Sequence, residues 1–208
     1  MSILNFQKPD KILLQKATDF HGQFEFKPLE PGFGQTIGNS LRRILLSSLE
    51  GYAISAIRIA GVDHEFSSIP GVVEDVVDII LNIKQIRLKS AVKGDKATEH
   101  QIYITISGQD EFRAKDIESR TNMFKVMNPE LLICKMEPSV NLELEMTITK
   151  GRGYVPAEEN MPENAPIGVI PVDAIYTPLK KVSYHVSNTR VGQRKDYEKL
   201  SIEVETDG

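Results

Sequence analysis

The segment Leu29–Ser48, LEPGFGQTIGNSLRRILLSS, constrains the fold more than any other stretch of the chain. Pro31-Gly32 breaks the chain just before it, and an amphipathic helix follows. Wound at 3.6 residues per turn, Thr36–Glu50 brings Ile37, Leu41, Ile44, Leu45 and Ser48 onto one face, the usual core stripe. Asn39, Arg43, Leu46 and Glu50 fall on nearly the opposite face. A surface helix has no internal reason to set Leu46 beside Arg43 and Asn39. That second face therefore reads as a protein–protein contact, where a guanidinium forms several hydrogen bonds while its stem packs.

The flanking sequence is mostly strand. Lys11–Thr18 and Gln23–Pro28 read as two short strands around the turn residues Asp19–Gly22, and Tyr52–Ile59 as a third. Pro70 fits the first turn of a second helix, Val72–Ile83, with Glu74 and Asp75 placed to favour its dipole. Ile102, Ile104 and Ile106 alternate within Gln101–Ser107. In Ser139–Thr149, Val140, Leu142, Leu144, Met146 and Ile148 face one way and polar residues the other, the mark of a one-sided antiparallel strand. Pro156–Pro166 is an acidic loop, and Lys180–Val186 and Lys199–Glu205 are further strands. Together these predict an α+β protein.

At 208 residues, the chain suits one large domain or two small ones. No apolar run reaches the ~18–20 residues of a membrane span, and the start MSILNFQKPDK lacks a signal pattern. The single cysteine, Cys134, excludes an internal disulfide framework and fits a reducing cytosol. A net charge of −4 lacks the basic footprint of a dedicated DNA-binding domain.

The remaining chemical motifs are weak. Gly32-Phe-Gly34-Gln-Thr-Ile-Gly38 has GxGxxxG spacing, but it follows Pro28 and Pro31 rather than the clean buried strand that a dinucleotide site needs within one βαβ unit, so a tight turn capped into a helix fits better. His21, His64, His100 and His185 are scattered, without the close spacing of a helical metal site, and no metal site is expected. No Ser/His/Asp order or Walker loop occurs. Lys150-Gly-Arg-Gly reads as a basic, flexible loop with no ligand to assign. Two rival readings stay open: a nucleotide-binding enzyme using Gly32–Gly38, and an unrelated β-rich adaptor.

The helix motif, GVDHEFSSIPGVVEDVVDIILNIKQIRL, KGRGYVPA, IGVIPVDAIYTPLKKVSYHV and TRVGQRKDYEKLSIEVETDG occur in that order. They resemble the amino-terminal assembly domain of the bacterial RNA polymerase alpha subunit, most weakly in Val92–Glu137. The resemblance implies a discontinuous α/β dimerisation domain of residues 1–50 and 174–208, with an inserted mostly-β domain of 51–173. It implies a homodimer that scaffolds the beta and beta-prime subunits. Asn39, Arg43 and Leu46 match beta contacts. Asp78, Lys84 and Val172 match beta-prime contacts, though Asp78 shortens a position that is often Glu. Ile37, Leu41, Ile44 and Leu45 match the dimer interface.

By the same resemblance the chain holds no catalytic residue and no cofactor. The catalytic magnesium belongs to beta-prime, and neither DNA nor membrane is contacted directly. The implied location is the bacterial cytoplasm, and a plastid origin fits as well. Relatives of this kind continue beyond Val204–Gly208 with a helix, a flexible linker and a small DNA-contacting domain.

Overall fold

The computed structural model describes residues 8–9, 11–92, 97–161 and 165–207. In chain order the elements are β1 (Lys11–Ala17), β2 (His21–Leu29), α1 (Phe33–Ser47), β3 (Glu50–Ile59), α2 (Val76–Ile83), β4 (Leu88–Ser90), β5 (Glu99–Ser107), β6 (Glu111–Arg113), α3 (Ala114–Arg120) and β7 (Phe124–Val126). They continue with β8 (Leu132–Lys135), β9 (Asn141–Arg152), β10 (Tyr154–Val155), a 3-10 turn (Ala157–Asn160), β11 (Val169–Pro171), β12 (Ala174–Ile175), β13 (Leu179–Val191) and β14 (Arg194–Thr206). The protein is α+β, as its sequence pattern implies. Residues 162–164 of the acidic loop lie outside the described residues.

Two compact units result, one of Met1–Leu49 with Thr177–Gly208 and the other of Glu50–Tyr176. The boundary expected after residue 173 therefore moves. Ala174–Ile175 pair with Tyr154–Val155, and the Tyr176 hydroxyl lies 2.7 Å from the Thr149 hydroxyl, so these residues belong to the inserted unit. Gly151 makes room for the Tyr176 ring, since a Cβ there would come within 2.6 Å of it.

In the unit made from the chain ends, four antiparallel strands run in the order β1-β2-β14-β13. The register sets Phe24 and Phe26 of β2 opposite Ile202 and Leu200 of β14, and opposite Leu14 and Ile12 of β1. Strand alternation puts all six on one face, with Lys27, Glu25, Lys199 and Glu203 on the other. Helix α1 packs on the apolar face over β13 and β14. Leu29, Leu179, Val182, Leu200 and Ile202 are buried there, with Ile37, Leu41, Leu45 and Leu46 half-buried against them.

The inserted unit is built on a sheet of order β5-β9-β3-β4-β7, with β11 also paired to β3. The alternation in β9 works as expected: Leu142, Leu144, Met146 and Ile148 are buried. Helix α2 seals this core with Val76, Ile79 and Ile83. It begins four residues later than its apolar run suggests. Asp75 is its cap, accepting a 2.8 Å bond from the Asp78 N–H, whereas Val72 bridges Met136 and Glu74 accepts from the Lys135 N–H at 2.6 Å. Helix α3 was not anticipated. It adds Ala114 and Ile117 to the same core, and Asp116 in its first turn accepts from the Arg113 N–H.

Candidate partner-binding helix

The docking of α1 is set by its glycines. Gly32 precedes the helix in the left-handed region, with φ 87°, where a Cβ would cost about 1–2 kcal/mol. Gly34 and Gly38 lie against the sheet. A Cβ on Gly34 would come within 2.8 Å of Val186, and one on Gly38 within 2.6 Å of Tyr184. The backbone of the helix therefore rests directly on β13. At about 100° per residue, Gly34, Gly38, Leu41 and Leu45 form the inward line.

This corrects the phase inferred from apolar spacing. Ile44 is 53% exposed and Ser48 is exposed too, so neither belongs to the core stripe. Leu46 is half-buried against the core of its own unit. It therefore does have an internal reason for its position. Asn39 and Arg43 remain exposed, with Arg43 pointing away from the sheet.

Two N–H groups at the start of α1 are already engaged within its own unit. The Glu198 carboxylate of β14 accepts 2.8 Å bonds from the N–H groups of Gly32 and Gly34. An anion is favoured at a helix N-terminus by its unpaired N–H groups and dipole. Here a side chain of the same unit takes that place. The nucleotide reading of Gly32–Gly38 loses its binding groups.

The two flanks of α1 differ. Gln35, Arg42 and Leu46 lean toward β13, where Gln35 donates to the Tyr184 hydroxyl at 2.8 Å. Phe33, Ile37 and Ile44 lean toward the β2–β1 side. There Ile12 and Leu14 are 62% and 57% exposed on the same sheet face. One flank carries Gln35 and Arg42 beside Leu46, and the other turns Ile44 to the side of the sheet on which Ile12 and Leu14 are exposed.

In the inserted unit, Asp78 is exposed on α2 and Lys84 lies 3.6 Å from Asp173 just beyond it. Three other motifs resolve into structure. Lys150-Gly-Arg-Gly is not a free loop: it ends β9, and Glu50 pairs with Lys150 at 2.8 Å and Arg152 at 2.6 Å. Those two cations, through hydrogen bonds first and charge second, pull the Glu50 carboxyl down to about 2. Cys134 is fully buried, and burial pushes its thiol up to about 12, which removes its nucleophilic form at neutral pH. His21 meets Glu203 and Glu205, with ligand atoms within 4.8 Å of one another. Sequence distance hides this group, but its members already hold one another and Ser183 and Lys181.

The profile of the RNA polymerase Rpb3/RpoA insert domain matches residues 57–177. The chain belongs to that family. The match covers most of the inserted unit, and similarity to relatives extends over both units. DNA-directed RNA polymerase subunit alpha of Cytophaga hutchinsonii is 58% identical over the whole chain. Those of Flavobacterium psychrophilum and Bacteroides thetaiotaomicron are 56% and 55% identical. The chain spans 62% of the length of each of these relatives.

One expected contact fails within the insert domain. Val172 has 0% exposure. Its N–H donates to Ser55 at 2.8 Å, and its carbonyl accepts from Asn160 at 2.8 Å. It offers a partner neither side chain nor backbone and is a core residue. Missed by sequence reasoning was Glu198, whose role depends on a contact 166 residues from Gly32. Its only local signal is an acidic residue in a strand.

Proposed function

We propose that this chain is the assembly part of a bacterial-type RNA polymerase alpha subunit. Two copies pair, and the pair gathers the beta and beta-prime subunits. Those large subunits make RNA from nucleoside triphosphates and hold the catalytic magnesium. This chain supplies scaffold surfaces only, in the cytoplasm. The observation that carries the reading is the division of labour on α1. Its apolar flank, with Ile44 and the neighbouring Ile12 and Leu14, suits self-association. Its outer face, with Asn39 and Arg43, suits the beta subunit. Asp78 and Lys84 suit beta-prime. The alternative of a nucleotide-binding enzyme is disfavoured by Glu198, which fills the N-terminus of α1.

The test is co-expression with the two large subunits. The wild-type chain should co-purify with both. Arg43→Ala should leave the fold intact, because the side chain is exposed. It should weaken beta capture by about tenfold or more, the cost of losing an interface arginine. Undiminished capture, or loss of the fold, would count against this assignment.

A further inference from the structure

Strand β13 forms one edge of its sheet, pairing with β14 alone among the described residues. An open groove of ≈ 620 Å³ runs along it, lined by residues 181–186 without a break and by Gln35 and Arg42 of α1. Alternate residues of a strand point to opposite faces. A groove lined by six consecutive residues therefore follows the strand's edge rather than either face. An edge strand beside a helix is the geometry in which an extended peptide adds as a further strand.

The two edges of this sheet are not equivalent. Strand β1 carries an irregularity at its centre, between Leu14 and Lys16, which blunts an edge against pairing. The irregularities of β13 lie near its ends, between Leu179 and Lys181 and between Thr189 and Val191. Residues 181–189 are left as a regular template.

The groove also has a charge preference. Its lining includes Arg42, Lys181 and His185 and no carboxylate, although the chain as a whole carries −4. Lys181 pairs with Glu205 at 3.4 Å and feels the charge of Glu203 as well, but the Lys181 and Glu205 side chains are partly exposed, so an incoming carboxylate can compete for Lys181.

We propose that the large subunit recruited by the α1 face docks through an extended acidic segment. That segment adds to the β13 edge, beneath Gln35 and Arg42. The inference rests on the scaffold reading given above and specifies its mode of contact.

Hydrogen exchange on the whole chain tests it, measured alone and in complex with purified beta subunit. A second arm uses the Arg42→Glu/Lys181→Glu variant. Capture should slow amide exchange within residues 181–186 by tenfold or more and leave β1 unchanged. The double charge reversal should lower beta affinity by about tenfold without altering exchange in the free chain. Capture that needs Arg43 but leaves β13 exchanging as in the free chain would overturn the strand addition and spare the scaffold reading. Protection of β13 by the chain's own concentration, without beta, would assign the edge to a second copy and overturn the proposal. No capture by the wild-type chain would remove both.

Discussion

Phe112, Ile117 and Ile133 in the inserted unit have 0% exposure, and so do Val76 and Ile83 of α2 above them. In the unit made from the chain ends, five buried side chains form the centre, while Ile12, Leu14 and Ile44 stay more than half exposed. The difference is architectural. The inserted unit covers its sheet with α2, α3 and short strands from its own sequence. Among the described residues the other unit has one helix for four strands, and that helix lies over β13 and β14, leaving the β1 end of the apolar face open. A soluble protein rarely leaves contiguous apolar surface without a use for it. Among the described residues, one unit covers its own sheet, and the other leaves part of its apolar face open.

The sharpest way to break this contrast is to cut the two cores in the same manner. Phe112→Ala should destabilise the inserted unit by about 3–5 kcal/mol, as expected for a fully buried aromatic. Leu41→Ala, on a half-buried side chain, should cost its own unit only about 1–2 kcal/mol. Hydrogen exchange resolved by unit reads both. Equal losses would show that the chain-end core is as closed as the inserted one.

How far the sequence shows this contrast depends on the element. Period-two alternation made β9 legible, because one of its faces is buried throughout. The existence of α1 was legible too, but its rotation was not. Two of the four residues on its inward line are Gly34 and Gly38, which add nothing to an apolar stripe. An apolar count therefore slides toward Ile44, and Leu46 looks superfluous. The start of α2 was misplaced for a related reason: Val72 and Val73 continue the apolar run, yet Val73 is 78% exposed and Val72 bridges Met136. Among the site residues, Arg43, Asn39, Asp78 and Lys84 sit where a partner could reach them. Val172 does not, since burial is a tertiary property. The same holds for Glu198 and the His21–Glu203 pair, which join distant parts of the chain.

A second test asks whether the open apolar surface is functional. Ile44→Ser removes an exposed side chain from the flank that faces Ile12 and Leu14. The folded unit should change by no more than about 0.5 kcal/mol, the usual range for surface positions. Self-association should weaken by about tenfold or more, because a central apolar anchor is lost. Sedimentation at several concentrations gives the affinity, and thermal unfolding of the monomer gives the stability. A large stability loss with unchanged association would mean that Ile44 is a misplaced core residue, and the contrast between the units would narrow.

The smallest effect concerns how each unit holds its surface carboxylates. Glu50 in the inserted unit is gripped by Lys150 and Arg152, and its carboxyl falls from 4.5 to about 2. In the other unit, Glu203 is lowered first by its hydrogen bond to His21 and next by that to Ser183. A depressed carboxylate contributes stability that is complete above its unfolded value and is lost as pH falls through the folded one. The Glu50 contribution should therefore persist down to about pH 4.5 and fade toward pH 2. The carboxyl carbon resonance of Glu50 should titrate with a midpoint near 2. Amide exchange where Gly51 faces Gly151, at the end of the β3–β9 ladder, should speed up over the same interval. Glu50→Gln should abolish that pH dependence and leave the buried core of the unit unchanged, since all three charged groups lie at the surface. A Glu50 midpoint near 4.5 would show that the two cations are solvated rather than paired. The end of the β3–β9 ladder would then hold without those two ion pairs.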